Sequence, residues 1–269
     1  MVAQSRLYPR SRVDVRTSCR ESKIFVVNLD RRLDRLASIS TELNKRGLKF
    51  ERVSAVDWTQ ARLAMPVKIK ILAALYNSNI NPNAAYACFM SHRLVWQKMI
   101  DEVVEQAIIL EDDAQFINCD ERFLNADIRA YGLDLLRIGA NSLPAKNLQS
   151  KDQYMFGRRI LYGPSKGSCA YIITNDGAQK CLNVKPWWFP VDHFHILSEG
   201  YGVRTALVEP LLVVPDGSAS DLRRARLRSR PFRRNLRIFA TKRIFRTIVF
   251  EILRFRNLVL RHFLGLQSE

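Results

Sequence analysis

The stretch Ala107-Ile108-Ile109-Leu110-Glu111-Asp112-Asp113-Ala114 runs from four apolar residues straight into three consecutive acids. A short, unbroken apolar run suits a strand covered on both faces, as in a sheet flanked by helices. Adjacent carboxylates repel one another and are costly to desolvate. A hard divalent cation offsets that cost, and oxygen ligands suit Mg²⁺ or Mn²⁺. In open α/β sheets, ligands sit beyond the carboxyl ends of the strands. Glu111, Asp112 and Asp113 are therefore candidate metal ligands, placed where a metal–diphosphate would be held. Acids after a strand also serve as helix caps or a solvent face, so the rest of the chain has to decide.

Outward from this stretch, strands and helices alternate. Ile24 to Leu29 reads as a first buried strand, and Asp30 starts a helix of roughly 31–45 that Gly47 stops. Residues 49–56 alternate as a second strand, 58–77 are weakly helical, and Asn81-Pro82-Asn83 is a turn and N-cap for a helix over 84–102. Later strands fall at 134–138, 154–162, 170–173, 205–208 and 211–214, with a short helix at 176–182. This alternation predicts an α/β fold with a mostly parallel, Rossmann-type sheet. Neither GxGxxG nor GxxxxGK[ST] occurs, which disfavours a dinucleotide oxidoreductase or a P-loop enzyme.

The 269 residues suit one such domain plus an appendage. The five cysteines are odd in number, widely spaced and without a CxxC pair or Cys/His metal spacing, which argues for a reducing compartment and against a disulfide framework or a zinc site. Residues 223–269 carry 14 Lys and Arg against two acids, +12 of the total +17. The charge is thus local, which favours an attachment element and makes nucleic acid an unlikely partner for the body. From Lys242 onward Arg243, Arg246, Arg254 and Arg261 fall on one helical side, and Ile244, Ile248, Ile252, Phe255, Val259 and Phe263 on the other. Such a basic amphipathic helix suits an anionic membrane surface; a nucleic-acid tail or a helix docked on the domain are the other readings. No apolar run of roughly 18 residues is present to span a bilayer, and Met1 to Ser22, with five arginines and no apolar h-region, reads as a basic arm rather than a secretory signal. The boundaries expected are 1–22, 23–222 and 223–269.

Three further segments carry candidate chemistry. Asn28-Leu29-Asp30-Arg31-Arg32-Leu33-Asp34-Arg35 joins a strand end, a helix N-terminus and three arginines, all of which favour phosphate, although an ordinary capped helix has the same residues. Ser91 and His92 lie on the helix before the acidic strand, where a histidine more often satisfies a hydrogen bond than catalyses. Pro190-Val191-Asp192-His193-Phe194-His195 offers Asp192 as a general base, with His195 as second choice or metal ligand; a helix N-cap is the alternative for Asp192. Trp187 and Trp188 suit a sugar face or the core equally.

Taken in order, the motifs resemble glycosyltransferase family 25, which includes bacterial lipooligosaccharide and collagen galactosyltransferases. They are Val27-Asn28-Leu29-Asp30-Arg31-Arg32 with Asp34-Arg35, Cys88-Phe89-Met90-Ser91-His92, Ile109-Leu110-Glu111-Asp112-Asp113-Ala114, Leu135-Leu136-Arg137-Ile138-Gly139, Gly167-Ser168-Cys169-Ala170-Tyr171-Ile172-Ile173, Gly177-Ala178 and Pro190-Val191-Asp192. The resemblance implies a GT-A fold, a nucleotide-sugar donor (UDP-galactose above all), Mn²⁺ or Mg²⁺ at the acids, and inversion at the anomeric carbon. It also implies donor contacts from Asn28, Leu29, Arg31, Arg32, Arg35, Ser91 and His92. With the basic tail it points to a lipopolysaccharide or other surface-glycan acceptor, and to a bacterial enzyme peripheral to the cytoplasmic face of the inner membrane. Where the family reads Gly-Glu-x-Gly, this chain has Ala84-Ala85-Tyr86-Ala87. That departure keeps a second reading open, a catalytically degenerate glycan-binding or scaffold protein at the membrane. A metal-dependent phosphatase or nucleotidyltransferase would need a separate acidic pair that the sequence does not display.

Overall fold

The structure is a computed structural model and describes residues 22–60, 81–118, 120–140, 149–162, 167–184 and 189–217. Eight strands form one sheet in the order β2-β1-β3-β8-β5-β9-β7-β6. They are β1 (Lys23–Asn28), β2 (Glu51–Ser54), β3 (Gln106–Glu111), β5 (Leu135–Arg137), β6 (Gln149–Met155), β7 (Arg158–Tyr162), β8 (Ala170–Thr174) and β9 (Thr205–Glu209). β1 is parallel to both β2 and β3, and β5 is parallel to β9, whereas β8 and β7 oppose their neighbours. Six strands therefore point one way and two run against them in a mixed sheet. β4 (Ala114–Phe116) and β10 (Val213–Pro215) pair antiparallel in a separate small ladder.

The strands alternate side chains between two cores, as a sheet covered on both faces must. Ile24, Val26, Ile108, Leu110, Leu136 and Ile172 face one side, with Ile39 and Leu43 of helix α1 (Leu33–Asn44) and Phe123 of the short α3 (Glu121–Leu124). Phe25, Ala107, Ile109, Leu135, Tyr171 and Ile173 face the other. There they meet Val95, Trp96 and Met99 of α2 (Pro82–Asp101), Cys181 of α4 (Asn175–Leu182), and Phe194 and Leu197 of α5 (Phe194–Tyr201). Each buried aliphatic side chain contributes roughly 1.5–3 kcal/mol, so the two faces together fix the register of the central strands.

Local chemistry sets the helix ends. The Asn81 side chain accepts from Asn83 N at 3.0 Å and from Ala84 N at 3.4 Å, and Pro82 opens α2. α4 is capped by Thr174, whose Oγ1 accepts from Gly177 N at 3.0 Å. A Cβ on Gly177 would lie 2.5 Å from the Asp134 carbonyl oxygen, so the helix reaches the sheet only with glycine there. α1 begins at Leu33, not at Asp30, because the Asp30 carboxylate is taken by Ser54 Oγ at 2.7 Å and by Arg52. The stretch expected as one β-element at 154–162 is a hairpin, turned at Phe156 and Gly157, both with positive φ. The weak helix at 58–77, Trp187 and Trp188, the basic arm and the tail fall mostly or wholly outside the described residues.

Candidate active site

Three strand ends converge at the acids. β1 ends at Asn28, a buried side chain whose Nδ2 donates to Asp112 Oδ2 at 2.8 Å and to Arg32 O at 3.1 Å, while its Oδ1 accepts from Arg52 Nε at 3.0 Å. Arg35, one turn into α1 and buried, donates from Nη1 to Asp112 Oδ1 at 2.7 Å and lies 3.8 Å from Asp113 Oδ2. Both oxygens of Asp112 are thus held by protein donors, and Asp112 is a structural pivot between β1, α1 and β3. Burial still raises its pKa, against the pull of Arg35 and Asn28.

Asp113 differs. Its Oδ1 is buried and makes no hydrogen bond among the described residues. Burial, then the charges of Glu111, Asp112 and Asp216, push its pKa up to about 7, with Arg35 opposing. Asp216 was not anticipated. It arrives because β10 pairs with β4 with Pro215 opposite Ala114, and its backbone N–H donates to Asp113 O at 2.8 Å. The signal available in the sequence is the turn-type Pro215-Asp216-Gly217 that follows the strand read at 211–214. A cleft of about 440 Å³ opens beside α1, walled by Ser38, Thr41, Asp112, Gln115 and Asp216 among others, a size within the range of small-molecule sites.

Glu111 faces the other way. Its Oε1 accepts from Ser168 Oγ and lies 3.5 Å from His92 Nε2. Burial opposes its ionisation, but His92, Ser168 and the Arg35 charge outweigh that and hold its carboxyl below the usual range. His92 Nδ1 is 2.8 Å from Tyr171 Oη, which also accepts from Trp96 Nε1 at 3.0 Å. Indole can only donate, so Tyr171 Oη accepts from Trp96, and its own hydrogen can point at His92 Nδ1 in the tautomer that carries the imidazole proton on Nε2. Ser91 turns elsewhere, accepting from Val56 N at 2.9 Å and donating to Ala87 O at 2.8 Å, so it ties α2 to the chain after β2.

The loop before β8 links this cluster to Asp192. Gly167 N donates to Asp192 O at 3.3 Å, and Gly167 O accepts from buried Arg137 Nη1 at 3.4 Å. Arg137 also lies over the Phe194 ring at 5.7 Å, and burial pulls its pKa down to about 10. Asp192 is not the cap of α5, a place taken by His193. The Cys88 thiol is pushed far up by burial and by the charges of Glu111, Asp192 and Asp113, which places Asp192 in the same electrostatic neighbourhood as the acids. His195 lies in the first turn of α5, and its side chain is outside the described residues. Arg31 is drawn to Asp57 at 2.5 Å and Arg32 to Asp34 at 2.7 Å. Both precede α1, so only Arg35 is turned inward by the helix. Leu29 is half-buried beside Asn28.

A family model described as Glycosyltransferase family 25 (LPS biosynthesis protein) matches residues 21–195, which contain every one of these side chains except Asp216. The chain belongs to glycosyltransferase family 25. Among family 25 relatives, a glycosyltransferase 25 family member of Anopheles gambiae is 31% identical over 188 residues, covering 64% of this chain and 31% of the relative. Procollagen galactosyltransferase 2 of Homo sapiens is 26% identical over 218 residues, covering 72% and 35%. The chain spans about a third of the length of these curated relatives. They are animal proteins, so they give no support to a bacterial setting or a lipopolysaccharide acceptor. The family 25 departure, Ala84 to Ala87, falls in the first turns of α2, with Ala84 on the helical face that carries Cys88 and His92 four and eight residues on.

Proposed function

We propose that this chain is a GT-A-type glycosyltransferase unit that moves a hexose from a UDP-sugar, galactose in the first instance, to a glycan acceptor. The single observation that carries this reading is Asp113, a largely buried carboxylate just after β3 whose Oδ1 has no hydrogen-bond partner among the described residues, in a chain of family 25. The names of the procollagen galactosyltransferase relatives support galactose. The basic amphipathic pattern after Lys242 supports an acceptor at an anionic membrane, a lipid-linked surface glycan made on the cytoplasmic face of the inner membrane.

The donor set fits a hard divalent cation, because Asp113 and Asp216 offer carboxylate oxygen and Asp113 Oδ1 has no hydrogen-bond partner among the described residues. Asp113 would bind it directly, with Asp216 beside it and Glu111 and Asp112 as supporting charge. Mn²⁺ or Mg²⁺, when bound, neutralises charge on the departing diphosphate. Arg35 and Asn28 hold Asp112 and so fix the approach of the acids to the ends of β1 and β3, where Leu29 borders the nucleoside position. Arg31 and Arg32 serve phosphate only by leaving Asp57 and Asp34. Asp192 is the base. It takes the acceptor hydroxyl proton as that oxygen bonds to the anomeric carbon and the carbon–oxygen bond to the diphosphate breaks. One displacement of this kind inverts the centre. His195 is the second candidate for the proton.

The test is UDP release from a panel of nucleotide sugars by purified protein, with Mn²⁺ or EDTA and with and without glycan acceptors. Metal-dependent release from UDP-galactose, reduced at least about 100-fold in Asp113→Ala, is expected. Asp192→Asn should lower kcat for transfer by about 10²–10⁴ with little change in KM; near-normal turnover sinks the base assignment. A second reading, a degenerate glycan-binding protein, is favoured by Ala84 to Ala87 in place of the family's Gly-Glu-x-Gly. No release from any donor under any of these conditions would select it.

A further inference from the structure

Cys88 and His92 stand at i and i+4 on α2, one above the other on the same helical face. Cys88 Sγ, a ring nitrogen of His92 and a carboxylate oxygen of Glu111 all lie within 4.8 Å of one another. His92 is 1% exposed, and among the described residues its Nε2 has no hydrogen-bond partner of good geometry. Buried polar atoms are rarely left so, and Nε2 points at Glu111 Oε1 from 3.5 Å. We propose that Cys88, His92 and Glu111 form a binding site for a borderline divalent cation, zinc above all, separate from the Asp113 carboxylate.

The chemistry separates the two places. Asp113 and Asp216 offer only hard oxygen, which suits Mg²⁺ or Mn²⁺. A thiolate, an imidazole and one carboxylate suit zinc, with the fourth position open. The ligands also have outer partners of the kind that metal sites use. Tyr171 Oη stands 2.8 Å from His92 Nδ1 and can receive its proton once Nε2 binds the ion. Ser168 Oγ fixes the Glu111 carboxylate. Binding displaces the Cys88 thiol proton to solvent, so charge is balanced by thiolate and carboxylate against the dication. Cys181, buried near Asp134 and Lys180, serves as an internal control.

The experiment titrates full-length, metal-free protein with Co²⁺ and follows the thiolate-to-cobalt charge-transfer absorption. Zinc affinity is then measured by competition with a chromophoric chelator. The band should form, persist in Asp113→Asn and disappear in Cys88→Ser, a change of one atom at a half-buried position that leaves the far-ultraviolet circular dichroism intact. Zinc affinity should fall by about 100-fold or more in Cys88→Ser, the upper end of what losing an outer partner alone costs. Tyr171→Phe should keep the band and weaken binding by about 10-fold. No band in the unaltered protein, or a band unchanged in Cys88→Ser, overturns the proposal. Neither result depends on sugar transfer, so failure here leaves the glycosyltransferase reading standing, and the reverse holds.

Discussion

A carboxylate with a buried oxygen and no donor is held against its own solvation preference, and Asp113 is held so by β3 on one side and the β4–β10 ladder on the other. Above pH 7 the native state carries that charge, with Arg35 the cation that offsets it among the described residues. Asp113→Asn should therefore raise the melting temperature in EDTA at pH 8 by about 4 °C, equivalent to relieving about 1–2 kcal/mol in a protein of this size. The same variant should lose donor hydrolysis. A fall in melting temperature would mean that Asp113 is satisfied structurally. Tyr171 makes the opposite case. Its hydroxyl serves both Trp96 and His92, all three buried. Tyr171→Phe strands two buried groups and should cost about 2–4 kcal/mol by urea unfolding, where one exposed hydrogen bond would cost about 1. Adding Trp96→Phe should then cost less than it does alone, because the pair shares one acceptor. Of these residues the acids could be read from the chain, since three in a row after an apolar run have few other uses. Their division of labour could not. Arg31, Arg32 and Arg35 are alike in sequence, and only the start of α1 at Leu33 turns Arg35 inward. Asp216 becomes a neighbour of Asp113 through strand register alone.

Among the elements, β5, β9 and α4 meet at Asp134. This buried acid accepts from Arg204 Nη2 and Lys180 Nζ, each at 2.8 Å, and from Arg204 N at 2.8 Å. Burial opposes its ionisation, but Arg204 and Lys180 outweigh that and hold its pKa below the usual carboxylate range. A lowered folded-state pKa stabilises the native protein above the ordinary carboxylate pKa, and the contribution is lost as pH falls through the lowered value. Asp134→Asn should accordingly cost about 3 kcal/mol at pH 7, and the gap to the unaltered protein should close below about pH 3. The two cations are 39% and 33% exposed and can rehydrate, which places the cost at the low end for a broken buried pair. A pH-independent difference would contradict the assignment. The elements most legible in sequence were those whose residues are decided by burial alone: β1, β3, β8 and α2. β4 escaped notice because three residues cannot show a period. The β6–β7 hairpin was merged into one strand because its turn places Phe156 at φ 47°, where the usual signal is Asn or Gly.

On the scale of the whole molecule, charge and core are separated along the chain. Residues 22–217 supply both faces of the sheet and the cluster of acids, while residues 223–269 carry a net +12. Among the described residues no helix is long and apolar enough to cross a membrane. If the tail attaches the protein to an anionic surface, the attachment is electrostatic and additive, at about 1 kcal/mol for each arginine near the leaflet. Replacing Arg243, Arg246, Arg254 and Arg261 with glutamine in the full chain should remove about 4 kcal/mol, close to a thousand-fold in partition coefficient. Co-sedimentation with phosphatidylcholine–phosphatidylglycerol vesicles reads this directly, with pure phosphatidylcholine as the control. The unaltered chain should bind the mixed vesicles, bind less as salt shortens the screening length, and ignore the neutral ones. Donor hydrolysis should be the same in both chains, because the four arginines lie beyond the matched family region of residues 21–195. Equal vesicle binding by the two chains would separate the tail from the membrane and leave the acceptor to be sought among soluble glycans and glycoproteins.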